Sequence, residues 1–262
     1  MKSVVVVAGT ADARNIIKEL VTEGIRIVAT VATGFGRELL EWIPGVEAVE
    51  GRLDSEQMAE LVRSNKAICL VDASHPFAVE VSVNAQEACK RCGLPYLRYE
   101  RQATETVCDG VIRVKDFEAA AELAAEYEGN ILLTVGSKQL YTFVKRICDY
   151  KSRLFARVLP ESRILAECEK MGLSPKNIIA IKGPFSENMN IEIIKHCNAA
   201  VVVSKDSGDT GGTAEKISAA AKAGIPLILV DRPEAAYTNI TGKIPEVVQF
   251  VRDIAASSKG DG

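Results

Sequence analysis

Short β-branched runs recur along this chain, each followed by a turn and then by residues at helical spacing, and that alternation decides most of what the chain can fold into. The runs occupy residues 3–8, 26–31, 46–50, 67–72, 95–99, 131–135, 154–158, 178–181, 199–204 and 226–230. They are nearly continuous in apolar residues, as strands covered on both faces are. This βαβα order predicts an α/β fold with parallel sheets flanked by helices. The helix signals between the runs are specific. From Asp54 to Arg63, capping residues and early acids precede Met58, Leu61 and Val62 on one face. From Asp116 to Tyr127 the chain is rich in alanine and meets a stop at Gly129.

An internal echo sets the domain organisation. Gly93-Leu94-Pro95-Tyr96-Leu97-Arg98-Tyr99-Glu100-Arg101 aligns without gaps on Gly224-Ile225-Pro226-Leu227-Ile228-Leu229-Val230-Asp231-Arg232, an offset of 131 residues from Gly93 to Gly224. Gly9 after the first run has the same role as Gly136 after the sixth. The echo predicts two Rossmann-like lobes of similar strand order. We expect a nucleotide-binding domain over residues 1–128 and a substrate domain over 129–262, with the ligand cleft between them.

Charge and composition narrow the partner. Lys and Arg total 32 against 35 Asp and Glu, a formal charge of −3 over 262 residues. No bulk positive field exists to hold nucleic acid or an anionic membrane, so a small molecule is the expected ligand. The apolar runs fall far short of the roughly 20 residues a spanning helix needs. Lys2 precedes a short valine run that enters the Gly9-Thr10 turn with no cleavage site, which points to a cytoplasmic protein. Seven scattered cysteines (69, 89, 92, 108, 148, 168 and 197) fit a reducing compartment. Cys89 and Cys92 are the one close pair, and without further ligands they read as reduced helix cysteines, not a metal site. Nothing in the sequence sets an oligomeric state.

In parallel α/β sheets, ligand groups emerge beyond the carboxyl ends of the strands. Gly9-Thr10-Ala11-Asp12-Ala13-Arg14 passes from the first strand into the first helix, where free amides favour a phosphate. It lacks the G-x-G-x-x-G fingerprint, so a plain strand-to-helix turn stands beside nucleotide binding. After the second strand come Thr33 and Arg37 instead of the acid common in NAD-binding domains, which suits a 2′-phosphate unless Arg37 is simply solvated. Asp72-Ala73-Ser74-His75-Pro76-Phe77-Ala78 is the sharpest string: Ser74 can cap a helix, Pro76 suits its first turn, and His75 can move a proton near neutral pH. The other histidine, His196, falls inside a predicted helix and reads as structural.

These strings in this order resemble the precorrin-6A reductases of cobalamin biosynthesis, including the cobalt-precorrin-6A form. The resemblance covers nearly the whole chain. It rests on Gly9 to Arg14, Asp72 to Ala78, Leu97 to Arg101, Leu133-Thr134-Val135-Gly136-Ser137-Lys138, Gly183-Pro184-Phe185, Lys205-Asp206-Ser207-Gly208 with Gly212, Thr213 and Lys216, and Arg232-Pro233. Two departures are Ala8, where the family often has a second glycine, and Gln102-Ala103-Thr104, near where it often has a tryptophan.

The resemblance implies a two-lobed enzyme that uses NADPH or NADH to saturate one double bond of a tetrapyrrole, giving precorrin-6B or its cobalt form. It implies cofactor binding by Gly9, Thr10, Asp12, Arg14, Thr33, Arg37, Pro76 and Phe77. Substrate binding would fall to Arg98, Arg101, Gly136, Ser137, Lys138, Lys182, Lys205, Ser207, Gly208, Thr213 and Arg232, since an acidic macrocycle calls for converging Arg and Lys donors. His75 and Asp206 are the candidates for guiding protonation, with solvent as the other source. The competing reading is a non-catalytic bilobal small-molecule binding or regulatory protein on the same fold. Nicotinamide binding separates the two.

Overall fold

The apolar runs become strands and the segments between them helices. The computed structural model describes residues 2–101, 109–208 and 211–257. Its first stretch gives β1 (Ser3–Val7), α1 (Ala11–Thr22), β2 (Arg26–Val31), α2 (Gly34–Glu41), β3 (Val46–Glu50), α3 (Ser55–Ser64), β4 (Ala67–Asp72), α4 (Val79–Cys92) and β5 (Tyr96–Tyr99). Next come β6 (Val111–Val114), α5 (Phe117–Glu126), β7 (Asn130–Leu133), α6 (Leu140–Arg146), α7 (Tyr150–Arg153), β8 (Leu154–Val158), α8 (Ser162–Lys170), β9 (Ile178–Ala180), α9 (Glu187–His196), β10 (Ala199–Lys205), α10 (Thr213–Ala223) and β11 (Leu227–Val230). They are followed by β12 (Ile240–Thr241) and α11 (Ile244–Ser257). Cys108 and residues 102–104 lie outside the described residues.

The strands form two six-stranded sheets, ordered β12-β5-β4-β1-β2-β3 and β6-β11-β10-β7-β8-β9. The described strand pairs are all parallel. One order is used twice: β1 to β5 correspond position by position to β7 to β11, and the sequence echo falls on β5 and β11. The sixth strand of each sheet follows the other sheet's fifth. β6 comes after β5 but pairs with β11, and β12 comes after β11 but pairs with β5.

This exchange corrects the expected boundary. The compact units are residues 1–102 with 234–262, and residues 103–233, not 1–128 and 129–262. The segment around β6 and α5 belongs to the second sheet, with α5 packing on β11 and α6, while α11 returns to α1, β4 and β5. Both exchanged strands are weak signals: β6 has four residues, none of them buried, and β12 only two.

Burial on both faces explains the unbroken apolar runs. In the first unit Val4 and Val6 join Ile16, Ile17, Leu20, Val247 and Val251 from α1 and α11. Val5 and Val7 join Met58, Val62, Ala85 and Cys89 from α3 and α4. In the second unit Leu132, Val202 and Leu229 pack with Ile193, Ile194, Ile217 and Ala220 from α9 and α10. Caps fix where helices begin: Asp54 and Gln57 form a reciprocal capping box on α3, and Asp116 accepts from the Ala119 amide on α5. Among the described residues no helix is long and apolar enough to cross a membrane.

Strand order reverses between β1 and β4 in one sheet and between β7 and β10 in the other. At such points the connections leave on opposite faces and open a crevice at the strand carboxyl ends.

Candidate active-site residues at the strand carboxyl ends

In the first unit the turn after β1 and the turn after β4 are tied together at the point of reversal. The Thr10 hydroxyl accepts from the Ala13 amide at 3.0 Å, capping α1, and donates to the Ala73 carbonyl at 2.9 Å. Gly9 has φ +127°, and a Cβ placed on it would meet nothing within 4 Å, so the backbone faces open space there. Arg14 turns its guanidinium back to the Thr10 carbonyl at 3.2 Å. Asp12 is ion-paired with Arg101, so these two expected ligand contacts neutralise each other beside the α1 N-terminus.

The Asp72–Ala78 string behaves differently from a capped turn. Ser74 is 5% exposed and does not cap α4, which begins at Val79 without a side-chain cap. Its hydroxyl is held by Arg98 at 2.9 Å and lies 3.3 Å from that of Ser82. Pro76 therefore sits in the loop and not in a first helical turn. His75 accepts the Phe77 amide on Nδ1 at 3.2 Å, which leaves the neutral ring's proton on Nε2, and its ring stands 5.8 Å from that of Phe77.

Arg98, expected as a substrate contact, lies in the interior of the first unit. It is fully buried and held to Asp72 at 2.9 Å and Glu100 at 2.8 Å, with its guanidinium over the Tyr237 ring at 5.2 Å. Asp72 also accepts the Tyr96 hydroxyl at 2.9 Å and the Ser74 amide at 3.0 Å. Burial alone would pull Arg98 down, but Asp72 and Glu100 outweigh it and hold the guanidinium charged. Burial, followed by the Asp72 charge, pushes the Tyr96 phenol far up, so it stays a neutral donor.

At the adenosine end expected of a dinucleotide, Thr33 caps α2 by accepting from the Gly36 amide at 3.1 Å, and Arg37 donates to Glu41 at 3.2 Å. Glu50, ending β3, stands 3.5 Å from where a Cβ on Gly34 would sit. An acid thus borders the turn after all, one strand later than the usual position.

The second unit repeats the plan with different chemistry. Gly136 follows β7 with φ +90° and open space before it, matching Gly9. Asp206 matches Asp72: each is fully buried and accepts the amide two residues on. Arg113 reaches Asp206 at 2.9 Å, while Arg232 lies 3.8 Å from its carboxylate and donates to its carbonyl at 3.2 Å. These contacts anchor the loop through Asp206, with Arg232 as its clamp. Thr213 is buried and accepts the Ser207 amide at 3.1 Å, and Gly208 is buried. Both, with Ser207, build the loop from within.

What this edge presents is cationic. Lys138 and Lys182 are exposed, the latter beside Gly183-Pro184-Phe185. Burial pulls the Lys205 ammonium down to about 8, and the charge of Lys138 adds to the effect. Two further cations had no role in the sequence-based site: Arg157, which was not singled out, and Lys216, which entered only with the resemblance. Arg157, on β8, is 7% exposed, donates to Asn190 Oδ1 at 2.7 Å and lies over the Phe185 ring at 4.3 Å. Lys216, on α10, is 7% exposed and donates to the Gly211 carbonyl at 2.9 Å. Burial first, then the charges of Arg157 and Lys205, pull Lys216 down to about 7, against the opposing pull of Glu215 and Asp206. An apolar strand interrupted by Arg157, and Lys216 on the helical face that carries Thr213, Ile217 and Ala220, were the signals that could have found them.

Such an edge can receive anionic oxygens, and the comparisons bear on which. Residues 3–252 match the model of a family described as precorrin-6x reductase CbiJ/CobK. The chain belongs to that family. The cobalt-precorrin-6A reductase of Methanothermobacter thermautotrophicus is 38% identical over 96% of this chain and 85% of its own. That of Priestia megaterium is 37% identical over 94% and 96%. A solved CobK precorrin-6A reductase superposes with a TM-score of 0.78 at 24% identity, covering 97% of each chain. That likeness gives the CbiJ/CobK fold, two parallel six-stranded sheets.

Proposed function

We propose that the protein reduces one double bond of cobalt-precorrin-6A, or of the metal-free precorrin-6A, with a nicotinamide dinucleotide as reductant, as a step of cobalamin biosynthesis in the cytoplasm. The observation that carries the reading is the near full-length likeness, at 38% identity, to a cobalt-precorrin-6A reductase.

The first unit fits a dinucleotide. A helix of 12 residues directs its first-turn amides toward the open backbone at Gly9, and amides so placed favour a pyrophosphate. Asp12 would oppose a phosphate there, but its pairing with Arg101 cancels the charge. Gly9, Thr10 and Arg14 hold the phosphates, and Thr33 and Arg37 the adenosine end, while Pro76 and Phe77 flank the nicotinamide. Glu50 is placed to accept from a free ribose hydroxyl, and Arg37 to donate to a 2′-phosphate. Bound there, the reduced nicotinamide supplies a hydride. His75, with its proton on Nε2, can hand a proton to the reduced ring or order the water that does. In the second unit Gly136 and Ser137 offer backbone and hydroxyl donors, and Lys138, Lys182 and Lys205 meet the carboxylates that fringe the macrocycle.

A single turnover tests the reading: enzyme with precorrin-6A, with and without cobalt, and each reduced nicotinamide in turn, followed by macrocycle absorption. A spectral change is expected in at least one combination, and none in any combination overturns the reading. Arg37→Ala should weaken NADPH more than NADH by about tenfold, because a charge-assisted bond to a phosphate is worth about 1.5 kcal/mol. Equal loss removes the 2′-phosphate assignment.

A further inference from the structure

Arg157 and Lys216 are cations that the fold buries. Each is 7% exposed, and among the described residues no carboxylate lies within ion-pair distance of either. Arg157 has an amide oxygen and an aromatic face for company, and Lys216 one backbone carbonyl. An ammonium carries three N–H donors, so two remain beyond the bond to Gly211. Burying a charge without a partner is costly, and a second cation nearby raises the cost. The charges acting on Lys216 are those of Arg157 from β8, Lys205 and Asp206 from β10 (Asp206 just beyond its end), and Glu215 from its own helix. Asp206 is spent on Arg113 and Arg232. Glu187 on α9, the helix packed against α10, is spent on Ser218 and Lys222. Among the described residues Glu215 and Asp206 offset the charge of the pair only in part, and neither comes within ion-pair distance of it.

We propose that Arg157 and Lys216 form a buried receptor for one carboxylate of the acidic macrocycle, the ligand of the second unit. The guanidinium supplies a planar pair of donors, held in orientation by Asn190 and Phe185, and the ammonium a point charge beside it. Entry of the anion favours the protonated lysine. Ligand binding near neutral pH therefore draws a proton from solvent onto Lys216. With the empty-site value at about 7, roughly three-quarters of the ammonium is deprotonated at pH 7.5, so uptake approaches about 0.7 proton per ligand. The proposal rests on the reductase reading only for the identity of the ligand. Turnover of the unaltered enzyme tests that reading separately.

The experiment is calorimetric titration of the full chain at pH 7.5 in two buffers of different ionisation enthalpy. One arm uses cobalt-precorrin-6A and the other NADPH. Uptake with the corrinoid supports the receptor and assigns it to a carboxylate, whereas uptake with the dinucleotide alone overturns it. Lys216→Arg should keep affinity within about threefold while abolishing uptake, because a guanidinium does not titrate. Lys216→Met should abolish uptake and weaken the same ligand at least tenfold, as should Arg157→Gln for affinity. Absence of uptake in both arms with the unaltered chain, or uptake unchanged in Lys216→Arg, overturns the proposal. An enzyme that turns over but takes up no proton refutes the receptor and leaves the reductase reading standing.

Discussion

Replacing Arg98 with methionine separates a structural role from a ligand role, and the structure sets the size of the effect. The guanidinium is fully buried and reaches Asp72 at 2.9 Å, the Ser74 hydroxyl at 2.9 Å and Glu100 at 2.8 Å. Without it Asp72, also fully buried, keeps the Tyr96 hydroxyl and the Ser74 amide but loses its cation. Removing one partner of a buried ion pair costs about 3–5 kcal/mol. For a unit of roughly this size each kcal/mol moves the midpoint by about 4 °C, so the first unit should melt roughly 12–20 °C lower. The double variant Asp72→Asn with Arg98→Met should recover at least about half of that, because no bare charge is left behind. Circular-dichroism melts of the single and double variants measure both quantities. A single variant within about 3 °C of the unaltered protein, or a double variant no better than the single, refutes the structural assignment. A ligand role would instead appear as weaker corrinoid binding at unchanged stability.

Thr10→Val should cost about 1 kcal/mol through the lost helix cap and weaken NADPH binding by calorimetry, while Lys138→Ala leaves NADPH affinity unchanged; equal losses would remove the division of labour between the units. Lys216 lies below its unfolded value in the native state, so unfolding binds a proton. Its burial therefore costs stability in full below about pH 7 and progressively less as pH rises toward the unfolded value. Lys216→Met should accordingly raise the melting point most at pH 6 and little at pH 10, and the reverse trend would show that the ammonium is paired. Thiol labelling of the native protein should modify exposed Cys148 first and half-buried Cys92 more slowly. Cys69 and Cys89, which burial pushes up to about 12, should react only on unfolding. Rapid native labelling of either would contradict its burial in the core of the first unit.

The strands and their turns were legible because burial on both faces writes an unbroken apolar run, and because Gly9 and Gly136 mark where each run must turn. The boundary was not. Pairing between distant parallel strands leaves no local pattern, so nothing in Val111-Ile112-Arg113-Val114 says that it belongs beside β11. Site residues divided along the same line. Arg98, Asp206, Thr213 and Arg232 sit on loops and strand ends where ligand contacts are also found, and only the fold shows that they point inward. Arg157 was overlooked, and Lys216, though part of the resemblance, was given no role, because a single charge in a strand or helix normally reaches water.

The exchange of β6 and β12 also sets the order in which the molecule is completed. Residues 103–233 contain every strand of their own sheet, whereas the first sheet waits for β12 and α11 from beyond residue 233. During translation β5 is thus left as a bare edge while the middle of the chain folds, and bare edges are templates for unwanted pairing. Closure comes only when the late segment returns to the start, with Lys2 bonding to Ala255 and Glu23 to Arg252. The first sheet, whose strands β1 to β5 are made earliest, is thus the one completed last.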